Sequence, residues 1–127
     1  MAGSILVVED EKNLRLLYKR DLEQDGHAVV MAANAVEGLE ALERESPDLV
    51  VLDIRMPGMD GLEAMGRILE SHPKIPVVLN SAYSSYKDNF MSWAADAYII
   101  KSADTTELRT KVRELLDARP GDPPVKP

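Results

Sequence analysis

Leu49-Val50-Val51-Leu52-Asp53 is a run of four apolar residues that stops on a carboxylate, with Pro47-Asp48 ahead of it and the turn-rich Met56-Pro57-Gly58-Met59-Asp60-Gly61 behind it. Four apolar residues in a row mark a strand buried on both faces, because a strand with one wet face alternates apolar and polar. The turn then opens a helix carrying Leu62, Met65, Ile68 and Leu69. Outward from this unit, the same alternation recurs. Upstream, Ile5–Val8 ends at Glu9-Asp10-Glu11 and precedes a helical pattern of Leu14, Leu17, Tyr18 and Leu22 that Gly26 closes. Ala28–Ala32 reads as the strand between. Asn34 and Glu37 follow, spaced as an N-cap pair, and open a helix carrying Val36, Leu39 and Leu42. Downstream, Pro73 and Pro76 bracket the start of a fourth strand, Val77–Leu79, which ends near Asn80-Ser81. A helix over about Tyr83–Ala95, rich in Ser and Asn, comes next. Tyr98–Ile100 is the fifth strand, and Asp104 caps a last helix with Leu108, Val112, Leu115 and Leu116 on one face.

Short apolar strands separated by helices imply a parallel sheet covered on both faces. Five such units fit an α/β fold of the doubly wound, flavodoxin-like (βα)5 kind, with strand order 2-1-3-4-5. The chain has 127 residues, one domain's worth at about 100–150 residues per domain. Residues 1–118 are read as that domain. Arg119–Pro127, with four prolines and one glycine, cannot continue a helix and reads as a tail or the stump of a linker.

Composition removes several function classes. There are 22 acidic residues against 15 basic ones, a formal net charge of −7, so direct binding to nucleic acid or to an anionic membrane is not expected. Cysteine is absent, which excludes disulfide scaffolds, thiolate metal sites and cysteine nucleophiles. No apolar run is long enough to span a membrane, and Met1-Ala2-Gly3-Ser4 offers no basic stretch ahead of Ile5–Val8. The expectation is a soluble cytoplasmic domain. His27 and His72 are isolated and are read as surface residues; Tyr86, Phe90 and Trp93 fall on one face of the fourth helix and read as core packing.

In a doubly wound sheet the site lies outside the carboxyl ends of the strands, where the strand order reverses. The residues at those ends are Glu9-Asp10, Asp53, Ser81 and Lys101. Singly, each has an ordinary structural reading: an N-cap, a turn residue, a strand-end cap, a solvated charge. Together they are three carboxylates, a hydroxyl and an ammonium on one rim. Carboxylates brought close repel one another unless a cation is present, and a hard divalent ion such as Mg²⁺ suits an all-oxygen set. An ammonium and a hydroxyl beside such an ion form a phosphoryl-binding set. Phosphate is not the resting ligand, because acids stand where a phosphate-cradling Gly-rich loop would be needed. The chemistry consistent with all of them is phosphoryl transfer onto a carboxylate, with Asp53 as the nucleophile.

Four stretches in order, Ile5-Leu6-Val7-Val8-Glu9-Asp10, Leu52-Asp53-Ile54-Arg55-Met56-Pro57-Gly58-Met59-Asp60-Gly61, Asn80-Ser81-Ala82-Tyr83 and Ala97-Tyr98-Ile99-Ile100-Lys101, resemble the receiver (CheY-like) domain of two-component response regulators. The resemblance runs from about Ser4 to Ala118. It implies that Asp53 accepts a phosphoryl group from a sensor histidine kinase or a phosphotransfer protein. It also implies Mg²⁺ (or Mn²⁺) on Glu9, Asp10, Asp53 and the backbone carbonyl of Arg55, with Ser81 and Lys101 on the phosphoryl oxygens and Tyr98 as the aromatic switch. Arg55 and Tyr83, which flank the path of the hydrolysing water in this fold, are large here and are expected to slow loss of the phosphoryl group. The face made by the fourth helix, fifth strand and fifth helix is the expected output surface, for a partner or a second copy.

The chain departs from that family at two places. Ser102 stands where a proline with a cis bond usually follows the lysine, so Lys101-Ser102 is either trans with a rearranged loop or a strained cis bond. Ala94-Ala95 replace the usual glycine before the fifth strand. Other readings fit less well. A haloacid-dehalogenase-like phosphatase resembles a pattern with a second acid where Arg55 stands, and a cap domain has no room. A flavin carrier would meet repulsion from Glu9-Asp10-Glu11. A phosphorylation-independent pseudo-receiver acting as an interaction module would be expected to lack one of the key residues.

Overall fold

The computed structural model describes residues 3–54, 56, 58–82 and 95–118. Its elements run β1 (Ser4–Val8), α1 (Lys12–Gln24), β2 (Ala28–Ala32), α2 (Ala35–Glu45), β3 (Leu49–Leu52), α3 (Gly61–Ser71), β4 (Val77–Ser81), β5 (Ala97–Ile100) and α4 (Thr106–Asp117). The five strands form one parallel sheet in the order β2-β1-β3-β4-β5. That is the doubly wound order expected from the alternation of strands and helices. The helix expected over about Tyr83–Ala95, with Tyr86, Phe90 and Trp93, and the tail Arg119–Pro127 lie outside the described residues.

The apolar strands are continuous because both faces of the sheet are covered. Leu6, Val8, Val50, Leu52 and Leu79 pack on one face with Ala35 and Leu42 of α2 and Met65 and Ile68 of α3. Ile5, Val7, Leu49, Val51 and Val78 pack on the other with Tyr18 and Leu22 of α1 and Leu108, Val112 and Leu116 of α4. Alternate residues of one strand thus serve two cores, each buried Leu or Ile contributing about 1.5–3 kcal/mol.

Local signals set the helix ends. Asn34 caps α2, accepting the Glu37 N–H at 2.9 Å, and Glu37 reaches back to the Ala33 N–H. Asp60 does the same for α3 through the Glu63 N–H. Past the end of α1, Gly26 takes φ +92°, as a left-handed residue after a helix should.

Three expectations are corrected. Val36 is 56% exposed, because α2 turns Ala35, Gly38, Ala41 and Leu42 inward. The reason is close approach: a Cβ at Gly38 would lie 2.8 Å from Val8 Cγ2, so α2 is seated by its smallest residue. His27 is buried rather than on the surface, with its Nδ1 accepting the Gly3 N–H at 3.2 Å. Burial disfavours its charged form and lowers its pKa. Finally, the capping position of α4 is Thr105, not Asp104; Asp104 accepts from the Thr106 N–H and hydroxyl, while the Thr105 hydroxyl is spent on Asp21.

Candidate functional site

Parallel pairing carries the chain one residue past each strand before it is free to turn. Glu9 N–H donates to Ala32 O at 3.0 Å, Asp53 N–H to Val8 O at 3.1 Å and Lys101 N–H to Ser81 O at 2.7 Å. The ladder therefore fixes the backbone of Glu9, Asp53 and Lys101 on one rim, at the crossing between β1 and β3.

The side chains converge. Lys101 Nζ lies 2.7 Å from Glu9 Oε1 and 3.0 Å from Asp53 Oδ2, bridging the two carboxylates. Glu9 and Asp53 are almost fully buried, and Asp10 is exposed. One carboxylate oxygen from each of Glu9, Asp10 and Asp53 falls within 4.8 Å of the other two. Burial pushes the Glu9 carboxyl above its ordinary pKa, and the Lys101 bond only partly offsets this. Burial acts to lower the Lys101 pKa, but its bonds to Glu9 and Asp53 outweigh it and the pKa rises. Among the described residues one ammonium stands against three carboxylates, which leaves excess negative charge where Glu9 and Asp53 are buried. The donors are all hard oxygens, so the residues present fit Mg²⁺ or a similar divalent ion.

Ser81 is fully buried at the end of β4. Leu79 pairs with Tyr98, and residues two apart share a face, so Ser81 and Tyr98 lie on the same side of the sheet. Tyr98 is half-buried and packs against the α2–α3 core. Glu9, Asp10, Asp53, Ser81 and Lys101 are thus brought to one rim, as the strand-end reading expects. Arg55 and Tyr83 lie outside the described residues. The peptide bonds of the described residues are all trans, Lys101–Ser102 included.

Two residues bear on the site without having been assigned a role from the sequence. Arg15 Nη1 donates to the carbonyls of Glu9 (2.9 Å) and Asp10 (3.0 Å), clamping the acidic turn from α1. Gly61 opens α3 with its N–H on Ile54 O at 2.7 Å, and a Cβ there would stand 2.0 Å from Asp53 O. Gly61 stands in the turn-rich stretch after Asp53, but nothing in that stretch marks its approach to the Asp53 carbonyl.

Comparisons with known proteins agree with this fold. Residues 5–113 match the response regulator receiver domain family. The uncharacterized transcriptional regulatory protein YkoG of Bacillus subtilis is 34% identical over 116 residues, which cover 90% of this chain and 51% of YkoG. An uncharacterized 14.6 kDa protein of Leptolyngbya boryana is 39% identical over 123 residues, 93% of each chain. This chain spans about half the length of YkoG and of several other curated relatives that it matches. Among solved structures, the response regulator protein TrrA of Thermotoga maritima in complex with Mg(2+)-BeF superposes with a TM-score of 0.85 at 42% identity, covering 87% of this chain and 96% of TrrA. TrrA bound to the histidine kinase ThkA gives a TM-score of 0.82 over the same shares. Among the described residues no helix is long and apolar enough to cross a membrane. With its five-stranded order, its rim of acids and lysine and a family match over residues 5–113, the chain belongs to the receiver domains of two-component response regulators, a family of signalling domains.

Proposed function

We propose that this domain is a phosphoacceptor switch in which Asp53 takes a phosphoryl group from a phosphohistidine of a sensor kinase or phosphotransfer protein. The observation that carries the reading is Lys101, whose ammonium bridges Asp53 and Glu9 at 3.0 and 2.7 Å. An Asp53 oxygen attacks phosphorus, a P–O bond forms, and the P–N bond to the imidazole breaks with its electron pair leaving on nitrogen. Lys101 then exchanges its contact on Asp53 for a phosphoryl oxygen, and Ser81 donates to another. Glu9, Asp10, Asp53 and the Arg55 carbonyl would hold Mg²⁺ or Mn²⁺, which supplies positive charge to the transferring group. In support, TrrA has been solved with Mg(2+)-BeF and with a histidine kinase.

Ser81 reaches a phosphoryl oxygen by moving toward it, and the space it leaves on the shared face is open to Tyr98. The output surface is then the face made by residues 83–95, β5 and α4, engaging a partner protein or a second copy. The receiver is residues 1–118, in the cytoplasm, with residues 119–127 as tail or linker and no direct contact to nucleic acid or membrane.

Intact-mass spectrometry with acetyl phosphate and Mg²⁺ tests the reading. One phosphoryl group should add to the wild type and none to Asp53→Asn; full modification of that variant would overturn it. Arg55 and Tyr83 crowd the hydrolysing water in this proposal. Arg55→Asn and Tyr83→Ala should therefore lose the phosphoryl group faster, and equal or slower decay in both removes the shielding role.

A further inference from the structure

A small hole lies on the side of the sheet away from Ser81, directly beneath the loop that follows Lys101. It has a volume of about 10 Å³ and is lined by Tyr18, Asn80, Ile100, Ser102 and Thr105, among others. That is the room one water molecule needs. The Tyr18 side chain is buried, and among the described residues its hydroxyl makes no hydrogen bond of proper geometry. Burial raises the pKa of the Tyr18 phenol, and Asn80, itself buried, stands near enough to pull it partly back without meeting hydrogen-bond geometry. A buried hydroxyl left without a partner is costly, and buried polar groups are in general satisfied by protein or by ordered water.

The loop above this hole is tied at both ends and spans it in between. At one end the Lys101 N–H is bonded to Ser81 O, and the Lys101 ammonium holds Glu9 and Asp53. At the other, the Thr105 hydroxyl donates to Asp21 Oδ2 of α1 at 2.6 Å. Between them the Ser102 Oγ accepts the Asp104 N–H at 3.1 Å, a bond within the loop.

We infer that the hole takes one ordered water held by the Tyr18 hydroxyl and Asn80, and that this water props the 101–105 loop, making Tyr18 a positioning residue for Lys101. The hydroxyl, not the ring, is what the site needs. Phosphoryl transfer depends on Lys101 meeting a phosphoryl oxygen, so a loop that sags by a fraction of an ångström lowers the rate of the step without changing what binds. The rate part of this inference rests on the phosphoacceptor reading; the structural part does not.

Three measurements test it on the full chain. A crystal structure that resolves solvent should show a water within hydrogen-bond distance of the Tyr18 hydroxyl; a dry hole, or a direct Tyr18–Asn80 bond, overturns the inference. In Tyr18→Phe, which keeps the ring's shape, amide exchange at 101–105 should speed up while the midpoint of thermal unfolding moves little. With acetyl phosphate, the maximal rate of Tyr18→Phe should fall by about threefold to tenfold, small against the hundredfold that ångström-scale misplacement can cost. The half-saturating acetyl phosphate and Mg²⁺ concentrations should stay put. Wild-type exchange and wild-type rate in Tyr18→Phe would sink the proposal. If the wild type itself takes no phosphoryl group, the acceptor reading fails, and the exchange and solvent results still decide the positioning claim.

Discussion

The two faces of the sheet are fastened in different ways. On the α1–α4 face the helices are joined to each other by polar groups: Thr105 to Asp21 at 2.6 Å, and Arg109 to Asp25 through two bonds of 2.7 and 2.9 Å. Tyr18, Asp21 and Asp25 recur at three- and four-residue steps, so one stripe of α1 carries these groups. On the α2–α3 face the seating is steric. Gly38 lets α2 approach Val8, and Gly61 lets α3 approach the backbone of Asp53. The first arrangement ties helices to helices and leaves the rim to be placed by the loop they hold. The second presses directly on the backbone of Asp53. A site hung between them gets Lys101 from one face and Asp53 from the other.

This contrast predicts where damage is greatest. Gly61→Ala puts a Cβ 2.0 Å from Asp53 O and 2.6 Å from Ile54 Cα, backbone atoms that cannot swing aside. It should cost about 3 kcal/mol in urea unfolding, the upper part of the range for overpacking, and should lower phosphorylation of Asp53 as well. Gly38→Ala meets only a Val8 methyl, at 2.8 Å, which can give. Its cost should be nearer 1 kcal/mol, again in the overpacking range, and phosphorylation should be spared. Equal effects of the two on Asp53 would break the claim that α3 alone bears on that residue.

On the polar face, Thr105→Val leaves Asp21 without its hydroxyl partner, and the loss should be about 1–3 kcal/mol. The pH dependence sharpens the comparison. The Thr105 hydroxyl, aided by Arg20, holds the Asp21 carboxyl below its ordinary value of 3.8, and Arg109 does the same for Asp25. For a carboxyl lowered on folding, the unfolded chain binds the proton more readily. The stabilisation is therefore complete above about 3.8 and is lost as pH falls through the folded values. Glu9 runs the other way: burial raises its pKa, so lowering the pH through its folded value toward 4.5 favours the folded state, with no further gain below that. Urea midpoints followed downward from pH 5 should fall in the wild type and fall less steeply in Thr105→Val. An unchanged slope would show that Asp21 is not the titrating group.

The strand pattern was readable because period and burial speak together. Four apolar residues ending on a charge leave few arrangements, and β2 and β3 begin and end where the pattern places them. The rim followed from topology, since strand ends in a parallel sheet must share an edge. What could not be read depends on distances between elements far apart in sequence. Nothing local marks Gly61 as lying under Asp53 O, or Arg15 as reaching back to two carbonyls. His27 is another case: an isolated histidine looks like surface, and only the folding of residues 3–4 against the start of β2 buries it. Ser102 was legible as a departure but not in its outcome, because the choice between bond geometries rests on the whole loop and on α1 beneath it.

The smallest predicted effect is the sharpest check on helix seating. Periodicity groups Val36 with Leu39 and Leu42, and if that grouping were the buried face, all three would resist polar replacement. In the structure α2 is rotated so that the small residues Ala35, Gly38 and Ala41 face the sheet, Leu42 is 1% exposed and Val36 is 56% exposed. A helix seated through its smallest residues comes closer to the strand and must turn its branched first-turn residue outward. Val36→Ser should then change the urea midpoint by no more than about 0.5 kcal/mol in free energy, the usual range for a surface position. Leu42→Ala should cost about 2–5 kcal/mol, the range for emptying a buried leucine site. The ratio of the two, rather than either alone, reports the rotation of α2, and a Val36→Ser loss approaching that of Leu42→Ala would place the helix on its other face.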